Sequence, residues 1–357
     1  MFLRAISACI SDTALPVGVL KTIYLFLFLI IDSHKKIRFL RYFYIGEDCN
    51  RIIYGGKQVN RKGLFVGLIF LLIGTSVIQI TAQNTEKPSS ASGGNWLYVG
   101  GSGLGNFTKI QDAIDNATDG DTVFVYSGWY IENLVINKSI VVSGQDRETT
   151  VILGGNESEI ISIKEADVEL LMFTIQRYNE TNVIGIMILG CLSSHIHENT
   201  VKSCYYGILV AESESLSISN NTILDCSYGI ENVITGNLTI TDNRIDGNGK
   251  GSGIEIQATM FRNYIKRNSI TNNSIGINLI YTEFSDIREN NFLENQQQAF
   301  FISSFFNMWH QNYWNQSHLL PKVIPGQLGG MLIHTKIPLI NFDWRPAQEP
   351  YDIPGIG

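Results

Sequence analysis

The stretch IHENTV at residues 196–201 is the first of six similar blocks along the chain. The later copies are ISNNTI (218–223), ITDNRI (240–245), IKRNSI (265–270), IRENNF (287–292) and WHQNYW (309–314). Successive copies begin 22, 22, 25, 22 and 22 residues apart. Self-similarity at a fixed period of this length is typical of a repeat protein, in which each repeat packs on its neighbours.

Every copy begins with an apolar residue and has an asparagine at its fourth position. These asparagines are Asn199, Asn221, Asn243, Asn268, Asn290 and Asn312. A second series in the same repeats is GIMI (185–188), GILV (207–210), GIEN (229–232), GIEI (253–256), GINL (276–279) and AFFI (299–302). Two short alternating strands per repeat, with Gly or Asn at the corners, predict an all-β, right-handed parallel β-helix over residues 96–314.

In this β-helix, the inward apolar residues should form columns along the stack. We expect the asparagines to adopt the left-handed corner conformation and to form a hydrogen-bonded ladder from coil to coil. Leucine-rich repeats have a similar period, but they require a Leu-rich consensus that the repeats lack.

The N-terminal 82 residues have a different character. Residues 63–80, GLFVGLIFLLIGTSVIQI, carry no charge and follow the basic stretch KQVNRK. This arrangement predicts that residues 57–82 are a secretory signal peptide or an uncleaved membrane anchor. A shorter apolar run predicts a second transmembrane segment at 15–31, and the basic loop between the two runs then lies in the cytoplasm. Residues 1–56 are an atypical extension, either natural or an upstream extension of the reading frame, and residues 83–95 are a linker.

Residues 83–357 contain 16 basic and 29 acidic side chains. This acidic excess argues against a nucleic-acid partner, whose phosphates require a basic surface, and suits an extracellular or cell-surface location. Nine Asn-x-Ser/Thr sequons are candidate glycosylation sites. They are Asn106, Asn116, Asn137, Asn156, Asn179, Asn220, Asn237, Asn272 and Asn315.

The segment FTKIQDAIDNATDGDTVFVYSGWYIENLVINKSIVVSGQ (107–145) combines a short helix, Asp-Gly-Asp before a strand, Gly-x-Tyr and Glu-Asn. This pattern resembles the opening of pectate-lyase-like β-helix proteins, including NosD-type and carbohydrate-binding or sugar-hydrolysis domains. The resemblance implies that Ile110 to Ala117 is an N-terminal capping helix. Residues 315–357 resemble the tails of archaeal surface proteins of this group and predict a non-repeating C-terminal cap. The resemblance implies a fold more than an activity, because that fold hosts enzymes and non-enzymatic surface proteins.

Two acids are the catalytic candidates. Glu231 and Glu255 share the outward position of neighbouring GI strands, which would place their carboxyl groups about 5 Å apart, the separation found in retaining glycosidases. The alternative is that both are solvated surface acids. Their column should continue with Leu209, Asn278 and Phe301, so no third acid or base is expected there.

Two histidines are the metal candidates. His195 and His197 flank the inward-facing Ile196, so both should point outward on one strand, about 7 Å apart. The resemblance to NosD-type proteins implies copper as the metal. Calcium is the other candidate, and acids in turns, Asp225, Asp242 and Asp246, could hold it with backbone oxygens. The alternative is that all three are ordinary turn residues.

These features favour an exported cell-surface β-helix protein that binds carbohydrate or another cell-envelope polymer, because no column of catalytic residues is visible. One alternative is a polysaccharide hydrolase or lyase of the pectate-lyase-like superfamily that uses Glu231 and Glu255. The other is a NosD-type periplasmic accessory protein connected with copper. The expected partners are a glycan or envelope polymer and, through the N-terminal segment, a membrane.

Overall fold

The computed structural model describes residues 94–164, 167–177, 183–329 and 336–353, together with four strands between residues 24 and 58. The chain divides into two units, Met1–Ala91 and Ser92–Gly357. In the first unit, β1 (Tyr24–Ile31) pairs antiparallel with β2 (Ile37–Tyr44), and β3 (Ile53–Tyr54) with β4 (Lys57–Gln58).

Only short parts of the predicted N-terminal segments lie among the described residues. Strand β1 lies within the predicted segment 15–31, and β4 lies at the start of the predicted signal or anchor at 57–82. The rest of both segments, and the linker up to residue 93, lie outside the described residues. In the parts of the chain that are described, no helix is long and apolar enough to cross a membrane.

The second unit is a right-handed parallel β-helix, as the repeats predict. It begins with β5 (Trp96–Val99) and the helix α1 (Ile110–Asn116). The first coils then contain β6 (Thr122–Val125), β7 (Gly128–Ile131), β8 (Leu134–Ile136), β9 (Val141–Gly144), β10 (Thr150–Leu153), β11 (Glu159–Lys164), β12 (Glu169–Leu171) and β13 (Thr174–Gln176).

From residue 183 onward, every coil contributes three strands. The first strands are β14 (Ile184–Leu189), β17 (Tyr206–Ala211), β20 (Tyr228–Val233), β23 (Ser252–Gln257), β26 (Ile275–Ile280) and β29 (Gln297–Ile302). The second strands are β15 (His195–His197), β18 (Ser217–Ser219), β21 (Thr239–Thr241), β24 (Tyr264–Lys266), β27 (Asp286–Arg288) and β30 (Met308–His310). The third strands are β16 (Thr200–Lys202), β19 (Thr222–Leu224), β22 (Arg244–Asp246), β25 (Ser269–Thr271), β28 (Asn291–Leu293) and β31 (Tyr313–Trp314).

The prediction of two strands per coil is therefore wrong, because each Asn block spans two strands with a corner between them. The left-handed residue at that corner is the one before the asparagine, not the asparagine itself. For example, Asp242 has φ 55° and Arg267 has φ 54°. This left-handed residue turns the chain and leaves the following asparagine pointing into the stack.

The asparagine column is a continuous ladder of hydrogen bonds. The side chain of Asn243 donates to Oδ1 of Asn268 (2.9 Å) and to the carbonyl of Ile218 (2.9 Å), and its backbone N–H donates to the same Oδ1 (3.0 Å). Asn243 in turn accepts from the backbone and side chain of Asn221. Both the donors and the acceptor of each buried amide are thus satisfied, as buried polar groups require.

The ladder has defined ends. Before its first member, the backbone N–H of Phe173 donates to Oδ1 of Asn199 (3.1 Å). After its last member, the carboxylate of Asp343 accepts from the backbone and side chain of Asn312 and from the indole of Trp314. Asp343 is fully buried and belongs to the C-terminal hairpin of β32 (Lys322–Leu328) and β33 (Ile337–Asp343).

A glycine is the second residue of most of the first strands for a steric reason. A Cβ atom built on Gly207 would lie 2.7 Å from the carbonyl oxygen of Gly229, and one on Gly229 would lie 2.4 Å from that of Gly253. Strands β26 and β29 pair Ile277 with Ala299, so the sequence alignment of GINL with AFFI was one residue out of register.

Helix α1 closes the open end of the first coil, and its bounds agree with the predicted capping helix within one residue. Ile110, Ala113 and Ile114 are buried against the core. The Glu132 carboxylate accepts from the backbone N–H groups of Ile110 (2.9 Å) and Gln111 (3.0 Å), so a residue of the next coil caps the start of the helix.

Candidate functional site

Four aromatic rings form a surface on the outer face of the first coils. We call Trp96, Tyr98, Phe124 and Tyr126 the aromatic surface. Tyr98 on β5 pairs in register with Phe124 on β6, and their ring centroids are 6.1 Å apart. Other neighbouring rings are 5.3 to 6.2 Å apart. Trp96 is 58% exposed and Tyr98 39% exposed, so the surface is open to solvent.

Strand alternation produces the aromatic surface. Val99, Val123 and Val125 point into the core and are buried. Because successive side chains of a strand point to opposite faces, the aromatic residues next to these valines must point outward. Large apolar rings on an outer face are not needed by the core, and exposed apolar patches of this kind usually mark interaction sites.

Two further aromatic residues lie on β7, and their positions differ. Trp129 is 63% exposed. Tyr130 is buried instead, and its hydroxyl donates to the carbonyl of Tyr126 (2.8 Å), which anchors the end of the aromatic surface. The signal for this surface was present in WLYV and FVY, where aromatic residues alternate with inward apolar ones.

The structure places the two catalytic candidates side by side. Glu231 on β20 pairs directly with Glu255 on β23. Neither is a solvated surface acid, because Glu231 is 7% and Glu255 8% exposed, and that alternative is therefore wrong. The column continues with Leu209 and Asn278 as expected. Its next member is Phe300 and not Phe301.

Amide and hydroxyl groups surround this acid pair. The side-chain nitrogen of Gln257 donates to Glu231 (2.9 Å) and to Glu255 (2.6 Å), so one amide bridges both carboxylates. Ser252 donates to the other oxygen of Glu255 (2.9 Å), and so does the amide of Asn278 (3.0 Å). We call these five residues the carboxylate cluster.

Burial shifts the proton affinity of the cluster. Desolvation and the neighbouring charge of Glu255 raise the pKa of Glu231 to about 7, although a hydrogen bond from Tyr206 opposes the shift. Desolvation, together with the same two acids, also raises the pKa values of Tyr206 and Tyr228. One acid of the pair can therefore stay protonated near neutral pH. Both carboxyl groups accept hydrogen bonds from neighbouring side chains.

The metal candidates do not converge on one point. His195 is exposed, whereas Nε2 of His197 lies 3.0 Å from Glu169 of the preceding coil. His310 makes a similar contact, with Nε2 2.9 Å from Asp286. Across the described residues, no three His, Cys, Asp or Glu side chains are placed to share a metal ion.

Other potential metal ligands are also occupied. Cys204 and Cys226 are free and buried, and each thiol lies 3.4 Å from a backbone carbonyl two residues earlier. The hydrogen bond with the neighbouring Cys226 thiol, together with burial, raises the pKa of Cys204 far above its usual range, which disfavours the thiolate that copper prefers. Of the turn acids, Asp242 pairs with Arg267 (2.7 Å) and Asp246 with Arg244 (2.8 Å). The described residues therefore do not fit a copper centre.

The sequons lie mainly at the surface. Asn106 is partly exposed, and Asn179 lies outside the described residues. The other seven are exposed, namely Asn116, Asn137, Asn156, Asn220, Asn237, Asn272 and Asn315. Glycans at these seven positions would not disturb the core.

Stacked parallel coils with a helix over the first of them define the class of this protein, the right-handed parallel β-helix proteins. Within that class, the chain belongs to the NosD family, whose model is described as "Periplasmic copper-binding protein (NosD)" and matches residues 114–325. The matched residues include the carboxylate cluster and half of the aromatic surface, since Trp96 and Tyr98 precede them.

Solved structures with a similar fold carry the names of enzymes that act on polysaccharides. The A-module of mannuronan C-5 epimerase AlgE4 from Azotobacter vinelandii is 16% identical, with 57% of this chain and 73% of that chain covered and a TM-score of 0.38. Pectate lyase Pel9A is 13% identical, with 63% and 81% covered and a TM-score of 0.36. Pectin methylesterase PemA from Erwinia chrysanthemi is 12% identical, with 74% and 92% covered and a TM-score of 0.30. A comparison with curated proteins finds no match.

Proposed function

We propose that this protein is an exported component of the cell envelope that binds carbohydrate without cleaving it. The aromatic surface carries this proposal. Its rings lie on neighbouring strands of one sheet face, where the C–H faces of successive sugar units can pack on successive rings. Trp and Tyr also place a polar group at the rim of each ring, which can bond to sugar hydroxyls.

The export part of the proposal rests on the N-terminal sequence and the family. An uncharged run at 63–80 follows a basic stretch, which is the arrangement of a secretory signal. The description of the NosD family as periplasmic agrees with export. Seven exposed sequons and an acidic surface also suit the outside of a cell.

The acid pair favours binding over cleavage. In a glycosidase, the general acid must reach the glycosidic oxygen and the nucleophile must reach the sugar ring. Both carboxyl groups must therefore be accessible to the polymer. Glu231 and Glu255 are more than nine-tenths buried and are bridged by Gln257, so neither carboxylate is presented to a polymer. The aromatic surface is the more accessible of the two places.

A polysaccharide-binding experiment tests the proposal. Full-length protein should be retarded in native gels that contain a polysaccharide it recognises, chosen from a glycan array. Replacing Trp96 and Phe124 by Ala should weaken binding at least about tenfold, because two ring faces worth about 1 kcal/mol each are lost. Trp129→Ala is the matched control, since Trp129 is equally exposed on another strand, β7.

Binding at the aromatic surface is supported if the polysaccharide still retards the Trp129→Ala protein in the gel but no longer retards the double variant. If no polysaccharide retards the unaltered protein, or if the double variant binds as well as the unaltered protein, the proposal fails.

A further inference from the structure

The outer face of the second strands changes in character at the C-terminal end of the stack. In β18 and β21, the outward positions hold only serine and threonine. Strand β33 stacks on β30, and its Asp343 pairs with Trp309, with both side chains buried. Because side chains alternate along a strand, Phe342 and Trp344 must point outward, and Trp344 lies beside His310.

These outward residues line a groove of about 450 Å³ between β30 and the end of β33. Its size is within the range of small-molecule sites, roughly 300 to 1,000 Å³. We call Met308, His310, Phe342, Trp344 and Arg345 the end groove. The rings of Phe342 and Trp344 are 4.9 Å apart, and Trp344 is 67% exposed, so its indole is not needed to cover the core.

The end groove contains no acid, although the chain around it is acidic. Residues 83–357 carry 29 acidic and 16 basic side chains. None of the described residues that line the groove is an aspartate or a glutamate. On the same outer face, Lys266 and Arg288 each lie close to a carboxylate, at 3.3 and 3.7 Å. Arg345 is exposed and forms no salt bridge with any described residue. An unpaired guanidinium in a groove without acids favours an anionic ligand.

The polar groups of the groove are held in place by buried partners. The backbone N–H of Arg345 donates to Asp343 (3.1 Å), and its carbonyl accepts from the backbone N–H of Gln311 (3.0 Å). Nε2 of His310 lies 2.9 Å from the carboxylate of Asp286, which is only 7% exposed. An ionised carboxylate can only accept, so Nε2 of a neutral His310 carries the proton and Nδ1 is left to accept a hydrogen bond from a ligand hydroxyl.

We propose that the end groove binds a sugar unit that carries an anionic group, namely a carboxylate, a sulfate or a phosphate. The sugar ring packs on Trp344, the anionic group pairs with Arg345, and a hydroxyl donates to Nδ1 of His310. This site is distinct from the aromatic surface, which lies on the first coils at the other end of the stack. It adds a selection for charge that ring stacking alone does not provide.

Saturation-transfer NMR titrations of the full-length protein test this proposal. The probes are glucuronic acid, glucose 6-sulfate, glucose 6-phosphate and, as the neutral reference, glucose. At least one anionic sugar should bind about tenfold more tightly than glucose, because a charge-assisted pair is added, and the strongest of the three identifies the anionic group. Arg345→Gln should remove this preference. Arg262→Gln is the matched control, since it removes the same charge from another exposed position.

Two aromatic variants locate the site. Trp344→Ala should weaken binding of the anionic sugar roughly tenfold, since it removes the ring on which the sugar packs. The protein with Trp96→Ala and Phe124→Ala should bind that sugar as the unaltered protein does.

The proposal is overturned if no anionic sugar binds more tightly than glucose, or if Arg345→Gln and Arg262→Gln have equal effects. It is also overturned if the preference is lost in the Trp96, Phe124 double variant but kept in Trp344→Ala. That last result would leave carbohydrate binding at the aromatic surface intact, so the two proposals can fail separately.

Discussion

The later coils, residues 183–314, are built on one repeated pattern, whereas the first coils, residues 96–177, are built without it. In the later coils, each ladder asparagine bonds to the next in the same way. In the first coils, Phe173 occupies the equivalent position, fully buried, and only its backbone joins the ladder. Individual contacts such as Glu132 with the start of α1 take the place of the repeated network.

This difference separates two ways of holding a solenoid together. Repeated contacts specify where each coil lies, so a residue that makes one of these contacts can hardly be replaced. Individual contacts close the end of the stack and leave outer positions free, and the aromatic surface lies there. The three variants below test this contrast, from the largest expected effect to the smallest.

The first variant is Phe173→Ala, at the boundary between the two regions. It should lower the free energy of unfolding by about 4 kcal/mol, because it removes a fully buried ring and leaves a cavity. Urea unfolding followed by circular dichroism measures this change. As a companion substitution at the same position, Phe173→Asn should also be destabilised, since a smaller amide leaves part of the same space empty. Unaltered stability of the Asn variant would show that the ladder can extend into the first coils and would remove the contrast.

The second variant, Asn243→Ala, interrupts the ladder at its middle. It should cost about 3 kcal/mol of unfolding free energy, because the donors of Asn221 and the carbonyl of Ile218 lose their partner in the core. The same urea measurement applies. Asn156→Ala, at an exposed loop position, is the control and should change stability by less than about 0.5 kcal/mol. Equal effects in the two proteins would mean that the ladder adds nothing to stability.

The third variant, Glu132→Gln, weakens the cap of α1. It should lower the unfolding free energy by about 1 kcal/mol, because each carboxylate oxygen of Glu132 accepts one backbone N–H beside the helix N-terminus. A glutamine offers a single neutral oxygen, and its NH2 group cannot accept the other N–H. The difference should shrink in high salt, which screens this partly exposed charge. A loss that is equally large in high and low salt would assign the effect to the lost hydrogen bond instead of the charge.

The repeats made the fold predictable. A period near 22 residues, the apolar columns and the asparagine column all follow from the sequence, because stacking in a solenoid turns sequence spacing directly into spatial neighbours. The third strand was missed because its residues lie in the same block as the second. The left-handed residue at the corner, such as Asp242, varies in type from coil to coil and therefore shows no pattern.

The site was less predictable than the fold. Alternation correctly placed Glu231 and Glu255 on the outer side of neighbouring strands, but it carries no information on what surrounds them. Their burial and the bridging amide of Gln257 depend on packing across several coils. The aromatic surface was missed because Trp96 and Phe124 precede the regular repeats, so no column could be aligned there.

Asp343 ends the ladder with a side chain of a different kind. An asparagine both accepts from the coil before it and donates to the coil after it, whereas an ionised aspartate only accepts. Every internal coil thus presents the same asparagine contact to the coil before it and to the coil after it. Only the last coil must contact Asp343. Gene duplication or deletion of whole coils can therefore change the length of such a protein while its two ends are inherited unaltered.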